Sequence, residues 1–391
     1  MAESQRLRHW KASKSAVRLP FSSGYDPRLR GVLCCGAEPQ YKTPSFFWNI
    51  DVHKEELSMK RLHKIKVLFV LALCLTLTAC GGGGPKQEAA DSAEEATVHF
   101  LTNLQNGEFE QARTYLEEEN PLLTVFPVAE GEAAPELDDV YRQFREKMTG
   151  LTFRVGDEGA VGNSMVYITA AQYDFRSAIN EAMLEAMETQ CREGGTAFAD
   201  YAGWMSQGIG NAAMGEEETV RAMATDKNGG YVIDHRGYTD HDFMNLFTGG
   251  FYDYADFQMA VCTNTIDNVE HTYYFAALGD QMIACVEEVS EANNGELDDE
   301  TIAGLNEFYA QVAQQTPGMY MGVTKDGDRV VTHMGIDFQT ADQNALVNSG
   351  MVSGSYQGNM ADGKLSLSAT ISEFEKAGMT SSVTPVYKAE K

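Results

Sequence analysis

MYMGVTKDGDRVVTHMGIDF, residues 319–338, decides the fold of the second half of this chain. Asp326-Gly327 separates two apolar, β-branched runs, Met319 to Lys325 and Arg329 to Phe338, and that arrangement is a strong local signal for a hairpin. Along the second run Val330, Thr332, Met334, Ile336 and Phe338 recur at period two and share one face. Upstream, His271–Leu278 and Gln281–Ser290 read as two more strands around the tight Gly279-Asp280 turn. Between the hairpins Asp298 caps a helix with Ile302, Leu305, Phe308 and Val312 on one face, and Pro317-Gly318 stops it. Tyr273-Tyr274-Phe275 places aromatics on both faces of the sheet, so a helix is expected over the second face, supplied by the C-terminal helices near 340–347 and 368–377.

The preceding half has the opposite order, helices before strands. Ser92-Ala-Glu-Glu95 is a capping box opening a helix with Ala96, Phe100, Leu101 and Leu104 on its buried stripe, which Asn106-Gly107 ends. Two further helices are expected at 108–118 and 137–148, then strands at 151–155 and 165–169, and a helical run from Tyr173-Asp174-Phe175 to about Gln190. Glycines between 203 and 215 predict broken helix there; a hairpin around Asp226-Lys-Asn-Gly229 follows, and Thr239-Asp240 can cap a short helix ending at Gly249-Gly250. The fold class expected is α+β, in two domains of curved antiparallel sheet packed with helices, at 91–257 and 258–391.

Ahead of both lies a different kind of segment. Lys60, Arg61, Lys64 and Lys66 precede an apolar run from Val67 to Ala79, too short to span a bilayer comfortably, and then come Cys80 and Gly81 to Gly84. Leu77-Thr78-Ala79-Cys80 resembles the bacterial lipobox. The resemblance implies a signal peptide over 59–79, cleavage before Cys80, and acyl chains of the palmitate type on that cysteine; two or more chains anchor stably where one does not. Residues 81–90 then read as a glycine-rich, polar tether. Residues 1–58 show no sustained periodicity, and Lys54-Glu55-Glu56 can be written AAG GAG GAG, a ribosome-binding string at a suitable spacing from Met59. Translation is therefore expected to start at Met59, with 1–58 an upstream extension of the reading frame.

Charge bounds the partners. Residues 1–79 hold 13 Lys+Arg and 6 Asp+Glu, which leaves 17 basic against 51 acidic residues, a net charge of −34, beyond them. Such a surface repels nucleic acid and anionic head groups and keeps a tethered protein soluble above its membrane. Beyond Cys80 the cysteines are Cys191, Cys262 and Cys285, an odd number with no CxxC. Cys262 and Cys285 fall in two expected strands and could pair, although buried reduced cysteine is the commoner outcome.

Two family resemblances follow from short motifs. Phe100-Leu101 through Gly107-Glu108-Phe109-Glu110-Gln111-Ala112, Tyr173-Asp174-Phe175, and Gly229-Gly230-Tyr231-Val232-Ile233-Asp234 followed by Leu246-Phe247-Thr248-Gly249-Gly250 resemble the nuclear transport factor two-like (cystatin-like cone) domain of Gram-positive lipoproteins. Tyr231 stands where that family often has tryptophan. The resemblance implies a helix-lined cone with a pocket, on the outer face of the cytoplasmic membrane. The strand, Gly279-Asp280, strand opening, the Lys325-Asp326-Gly327-Asp328 hairpin, and the closing Ser366-Leu367 to Phe374 and Ala377-Gly378-Met379 are similar to the YehR-like lipoprotein family of unknown function. Neither resemblance carries a catalytic residue onto this chain, and Cys262 with Cys285 departs from the second.

Candidate sites are few. Asp234-His235-Arg236-Gly237-Tyr238-Thr239-Asp240-His241-Asp242 is the densest polar cluster, and His235, Asp240 and His241 could ligate a metal, although the histidine spacing matches no familiar site. Asp174 or Asp234 could serve as an acid or base in a cone pocket, or could be an ordinary strand-end aspartate. Methionines, among them Met259, Met282, Met319, Met321 and Met334, suit either an adaptable groove or core gap-filling. No GxSxG, HExxH or phosphate-binding loop is present. The expected role is binding of a small ligand or an envelope partner, without catalysis and without a cofactor. The alternatives are a cone-fold enzyme acting on a small hydrophobic substrate, and a structural accessory subunit of an envelope complex.

Overall fold

The computed structural model describes residues 89–118, 120, 122–125, 137–156, 164–234, 242–254, 256–293, 295, 297–342, 360–361 and 364–385. The described part opens with α1 (Ala93–Gln105), where Ser92 Oγ accepts the Glu95 N–H at 3.1 Å and Glu95 reaches back to the Asp91 N–H at 2.7 Å. Two orphan donors of the first turn are thereby satisfied. Ala93, Ala96, Phe100, Leu101 and Leu104 bury its inner stripe. Short helices α2 (Phe109–Arg113) and α3 (Leu122–Val125) and the longer α4 (Asp138–Met148) follow. The first sheet runs β1 (Thr152–Gly156), β2 (Met165–Tyr173), β3 (Met214–Lys227) and β4 (Gly230–Asp234), antiparallel and in that spatial order. α1 touches all four strands, so its apolar stripe closes one face of this sheet.

Inside this half the aromatics interlock. Phe100 meets the ring of Phe247 edge-on at 5.7 Å, in α7 (Asp242–Thr248), and Phe144 stacks on Phe251 at 4.4 Å. Each such pair adds about 1 kcal/mol beyond the area it buries.

The second sheet has six antiparallel strands. In chain order they are β5 (Phe257–Ile266), β6 (Val269–Leu278), β7 (Gln281–Ala292), β8 (Met319–Asp326), β9 (Arg329–Asp337) and, after the small hairpin β10 (Met360–Ala361) and β11 (Lys364–Leu365), β12 (Thr380–Pro385). Their spatial order is β12-β5-β6-β7-β9-β8, which makes β8 and β12 the edges. Register aligns one row straight across it: Ser381, Cys262, Tyr273, Glu287, Met334, Met321. Helix α9 (Leu367–Lys376) covers this face, with the ring of Phe374 edge-on to Tyr273 at 4.8 Å.

The other face is covered by α5 (Phe175–Glu193), with α6 (Tyr201–Asn211) behind it. At its start Phe175 lies 5.3 Å from Phe144; towards its end the helix packs on β8 and β9. Two glycines of the sheet permit this approach. A Cβ on Gly335 would lie 2.7 Å from Met187 Cγ, and one on Gly322 would clash with the Cys191 carbonyl oxygen. One buried cluster therefore runs from Ala90 through Phe175, Met187 and Cys191 to Phe257, Ile283 and Val286. The boundary expected between 257 and 258 falls inside it, where Tyr254 and Phe257 stand 6.4 Å apart.

Four details depart from expectation. The helix over Tyr274's face is α5, from the first half of the chain, while the C-terminal α9 covers Tyr273 and Phe275. Residues 203–215 are not broken helix: α6 is regular, and Gly208 is where it meets α5, since a Cβ there would sit 2.5 Å from Ile179 Cα. In α8 (Asp299–Gln315) the buried aromatic is Tyr309, because Phe308 lies about 80° around the helix from the stripe and is 53% exposed. Strand β12 was not expected at all; its Ser/Thr sequence carries little apolar alternation, and it forms by pairing with β5.

Candidate functional site

The end of α5, the inner face of α8 and the edge strand β8 enclose a groove of about 500 Å³. Glu188, Cys191 and Arg192 form one wall, Asn306, Ala310, Ala313 and Gln314 the other, and Gly318–Met321 the floor. The edge itself is partly satisfied from within. Asn306 Nδ2 donates to the Val323 carbonyl at 2.9 Å and its Oδ1 accepts the Val323 N–H at 2.7 Å, so one side-chain amide occupies the place of a neighbouring strand. In an antiparallel ladder the backbone groups of alternate residues point the same way. Val323 points outward, so Met321 and Met319 do too; the Met319 N–H is taken by Thr316 O at 3.1 Å. The Met321 N–H and C=O face the groove. Arg192 at the rim is ion-paired with Glu188 at 3.3 Å, and these two are the charged residues of the lining, so the groove itself is near neutral; Glu193, outside the lining, also meets Arg192 at 2.8 Å.

Two polar clusters lie inside, one on each face of the six-stranded sheet. In the first, Glu287 is 1% exposed, its Oε1 accepts the Tyr273 hydroxyl at 2.5 Å, and its Oε2 has no hydrogen-bond partner among the described residues. Burial pushes the carboxyl up to about 7, with the Tyr273 hydrogen bond opposing. Burial likewise lowers His271, whose Nδ1 stands 4.0 Å from Glu287. On the other face Gln190 ties helix to sheet: its Nε2 donates to Glu288 at 2.9 Å and its Oε1 accepts the Phe198 N–H at 2.8 Å. His333 Nδ1 lies 3.2 Å from Glu288 but is misaligned for a hydrogen bond, while its Nε2 meets Thr324 Oγ1 at 2.8 Å. The first cluster ties β6 to β7, and the second ties α5 to the sheet.

The residues singled out in the sequence fare differently. Leu77, Thr78, Ala79 and Cys80, and His235, Asp240 and His241, lie outside the described residues. Among the described residues no group of three or more His, Cys, Asp or Glu is placed to hold a metal, and no helix is long and apolar enough to cross a membrane. Asp174 caps α5, accepting the Ser177 N–H at 2.9 Å, and Asp234 is buried at the end of β4, where it accepts the Thr225 hydroxyl at 2.6 Å. The disulfide weighed for Cys262 and Cys285 does not form: both thiols are free, and β6 separates their strands. Two strand spacings, about 9.6 Å, exceed what a disulfide can bridge. Of the methionines, Met259, Met282 and Met334 are core, Met319 is buried in the same cluster as Met282 and Met334 while also bordering the groove, and Met321 lines the groove.

Glu287 and Asn306 were missed. Glu287 carried a readable signal, a carboxylate at an inward-facing position in the run from Met282 to Val289. Asn306 carried none, since an asparagine mid-helix is ordinary until the edge strand beside it is known. A second depression, of about 400 Å³ between α4 and α6, is bridged by Lys147, which donates to Gly210 O at 3.0 Å and Ala212 O at 3.2 Å.

No family model and no curated protein matches the chain. Among solved structures it is similar to the NMR structure of the E. coli YehR protein, at 17% identity over 32% of this chain and 90% of that one, with a TM-score of 0.27. It is also similar to an NMR structure of a protein from Streptococcus pneumoniae TIGR4, at 13% identity over 32% and 84%, with a TM-score of 0.24. Neither likeness says what the chain binds or does.

Proposed function

We propose that this chain is a bacterial lipoprotein, anchored by palmitate-type acyl chains on Cys80 at the outer face of the cytoplasmic membrane of a Gram-positive type of cell, that works by binding rather than by catalysis. Its occupant is a small ligand or an envelope protein, with no cofactor and no nucleic acid involved. On this reading the part around the four-stranded sheet is the nuclear transport factor two-like domain and the part around the six-stranded sheet the YehR-like domain, with α5 fastening one to the other. The observation that carries the binding role is the groove beside β8, which joins an apolar lining to an outward-facing main-chain donor and acceptor at Met321. The buried positions of Glu287 and His333, and the hydrogen bond that Glu288 accepts from Gln190, support a structural role for the ionisable groups nearby.

The test expresses the full chain in a bacterium fed labelled palmitate and purifies it in detergent for native mass spectrometry. Label on the wild type and none on Cys80→Ala supports the anchor; equal label on both overturns it. A mass lost on unfolding the wild type, and missing from a groove-filling Ala313→Trp variant that folds normally, supports binding there. An unchanged adduct on that variant refutes it.

A further inference from the structure

The internal bond pattern at the β8 edge identifies the chemistry the groove takes. Asn306 shows that this edge accepts a planar amide presenting one donor and one acceptor side by side, since its carboxamide makes both bonds to Val323 at 2.9 and 2.7 Å. Two residues along, Met321 offers the same pair, on the same side, at the floor of the groove. An extended peptide is the ligand class that repeats such a pair every second residue, at about 6.6 Å along the strand. The part of the floor in strand geometry runs from Met319 to Met321, about 6.6 Å between its end Cα atoms, which matches three residues of an added strand. Ala310 and Ala313 keep the opposite wall back, and Met319, Met321 and Tyr320 make the lining adaptable and apolar. Glu188 and Arg192 are the charged residues of the lining and pair with each other at 3.3 Å, so no net charge is asked of the occupant.

We infer that the groove binds a short, neutral, apolar peptide segment in extended form, which adds to the sheet as a strand beside β8 and exchanges both main-chain hydrogen bonds with Met321. This deepens the binding role proposed above and rests on it. Side chains of the segment lie over Ala313 and Met319, and Asn306 stops the pairing one step further on, so recognition is limited to about three residues.

The test uses the detergent-purified full chain with methyl-labelled methionine and two probes: acetyl-Val-Ala-Val methylamide, and the same tripeptide methylated on its residue nitrogens, which removes those donors. The Met319 and Met321 methyl signals, assigned by Met→Leu replacement, are expected to shift saturably with the first probe. Binding of the methylated probe is expected to be at least tenfold weaker, the loss of one main-chain bond of about 1.4 kcal/mol. Asn306→Ala, which frees the Val323 pair, is expected to tighten binding of a five-residue homologue of the first probe, and Ala313→Trp to abolish binding. Equal affinity for the two tripeptides overturns strand addition while leaving a groove that binds by apolar contact. Absence of any shift from either probe overturns the peptide assignment, and the adduct comparison with Ala313→Trp then decides separately whether the groove binds at all.

Discussion

Glu287→Gln should remove a pH dependence that the fold builds in. Glu287 sits in the middle of a six-stranded sheet, under α9; among the described residues its one hydrogen bond comes from Tyr273 and its second oxygen has no partner. Burial raises it from the ordinary 4.5 to about 7. The native state therefore holds a proton that the unfolded chain releases, so stability is full below pH 4.5, falls as pH rises, and levels off above about 7. Across that window the loss is about 3 kcal/mol, and between pH 5 and pH 8 about 2.5 kcal/mol. Glutamine cannot ionise, yet keeps an oxygen for the Tyr273 hydroxyl, so the variant retains the shape and loses the slope. Urea unfolding followed by circular dichroism at both pH values, on wild type and variant, isolates this one group, because every other titration is common to the two proteins. The wild type should lose about 2.5 kcal/mol more than Glu287→Gln on going from pH 5 to pH 8. A difference below 1 kcal/mol would mean that water reaches the carboxylate, and the account of this site would fail. Tyr273→Phe should move the midpoint of the same loss to higher pH, since the hydroxyl is the group that favours the charged form.

Other expectations follow from the packing. Gly335→Ala should destabilise by about 1–3 kcal/mol in the same urea assay, because its Cβ meets Met187 in a seam with no slack; an unchanged midpoint would show that α5 does not sit against β9. Gln190→Leu should cost about 2 kcal/mol, leaving the Phe198 N–H without its acceptor and Glu288 Oε1 without the amide that donates to it. Cys191, Cys262 and Cys285 are buried, and burial raises all three thiols, Cys262 to about 11, so maleimide at pH 7.5 should modify none of them before urea is added. Peptide mapping of the labelled protein reads this directly, and modification of Cys262 in the native state would show that α9 leaves its face of the sheet.

What the sequence disclosed and what it withheld divide along one physical line. Features decided within a few residues were readable: the Asp298 cap, where the carboxylate accepts the Thr301 N–H at 2.8 Å, the hairpin at Asp326-Gly327, and the alternation from Val330 to Phe338. Features decided by a partner far away in the chain were not. Strand β12 has no pattern of its own and exists because β5 offers an edge; the seam through Gly322 and Gly335 needs Met187 and Cys191, more than a hundred residues earlier. The candidate site belongs to this second kind. Met319 and Met321 were visible as methionines suited to either core or groove, and alternation in β8 puts their side chains on one face, yet nothing local says that the edge beside them is open. That follows from the strand order, which places β8 outermost, and from Asn306, which satisfies Val323 and stops short of Met321. An edge left unsatisfied over a short stretch, between two helices that keep large partners away, limits the risk of edge-to-edge aggregation while still admitting a small occupant. The same residues that protect the strand thus set the size of what can add to it.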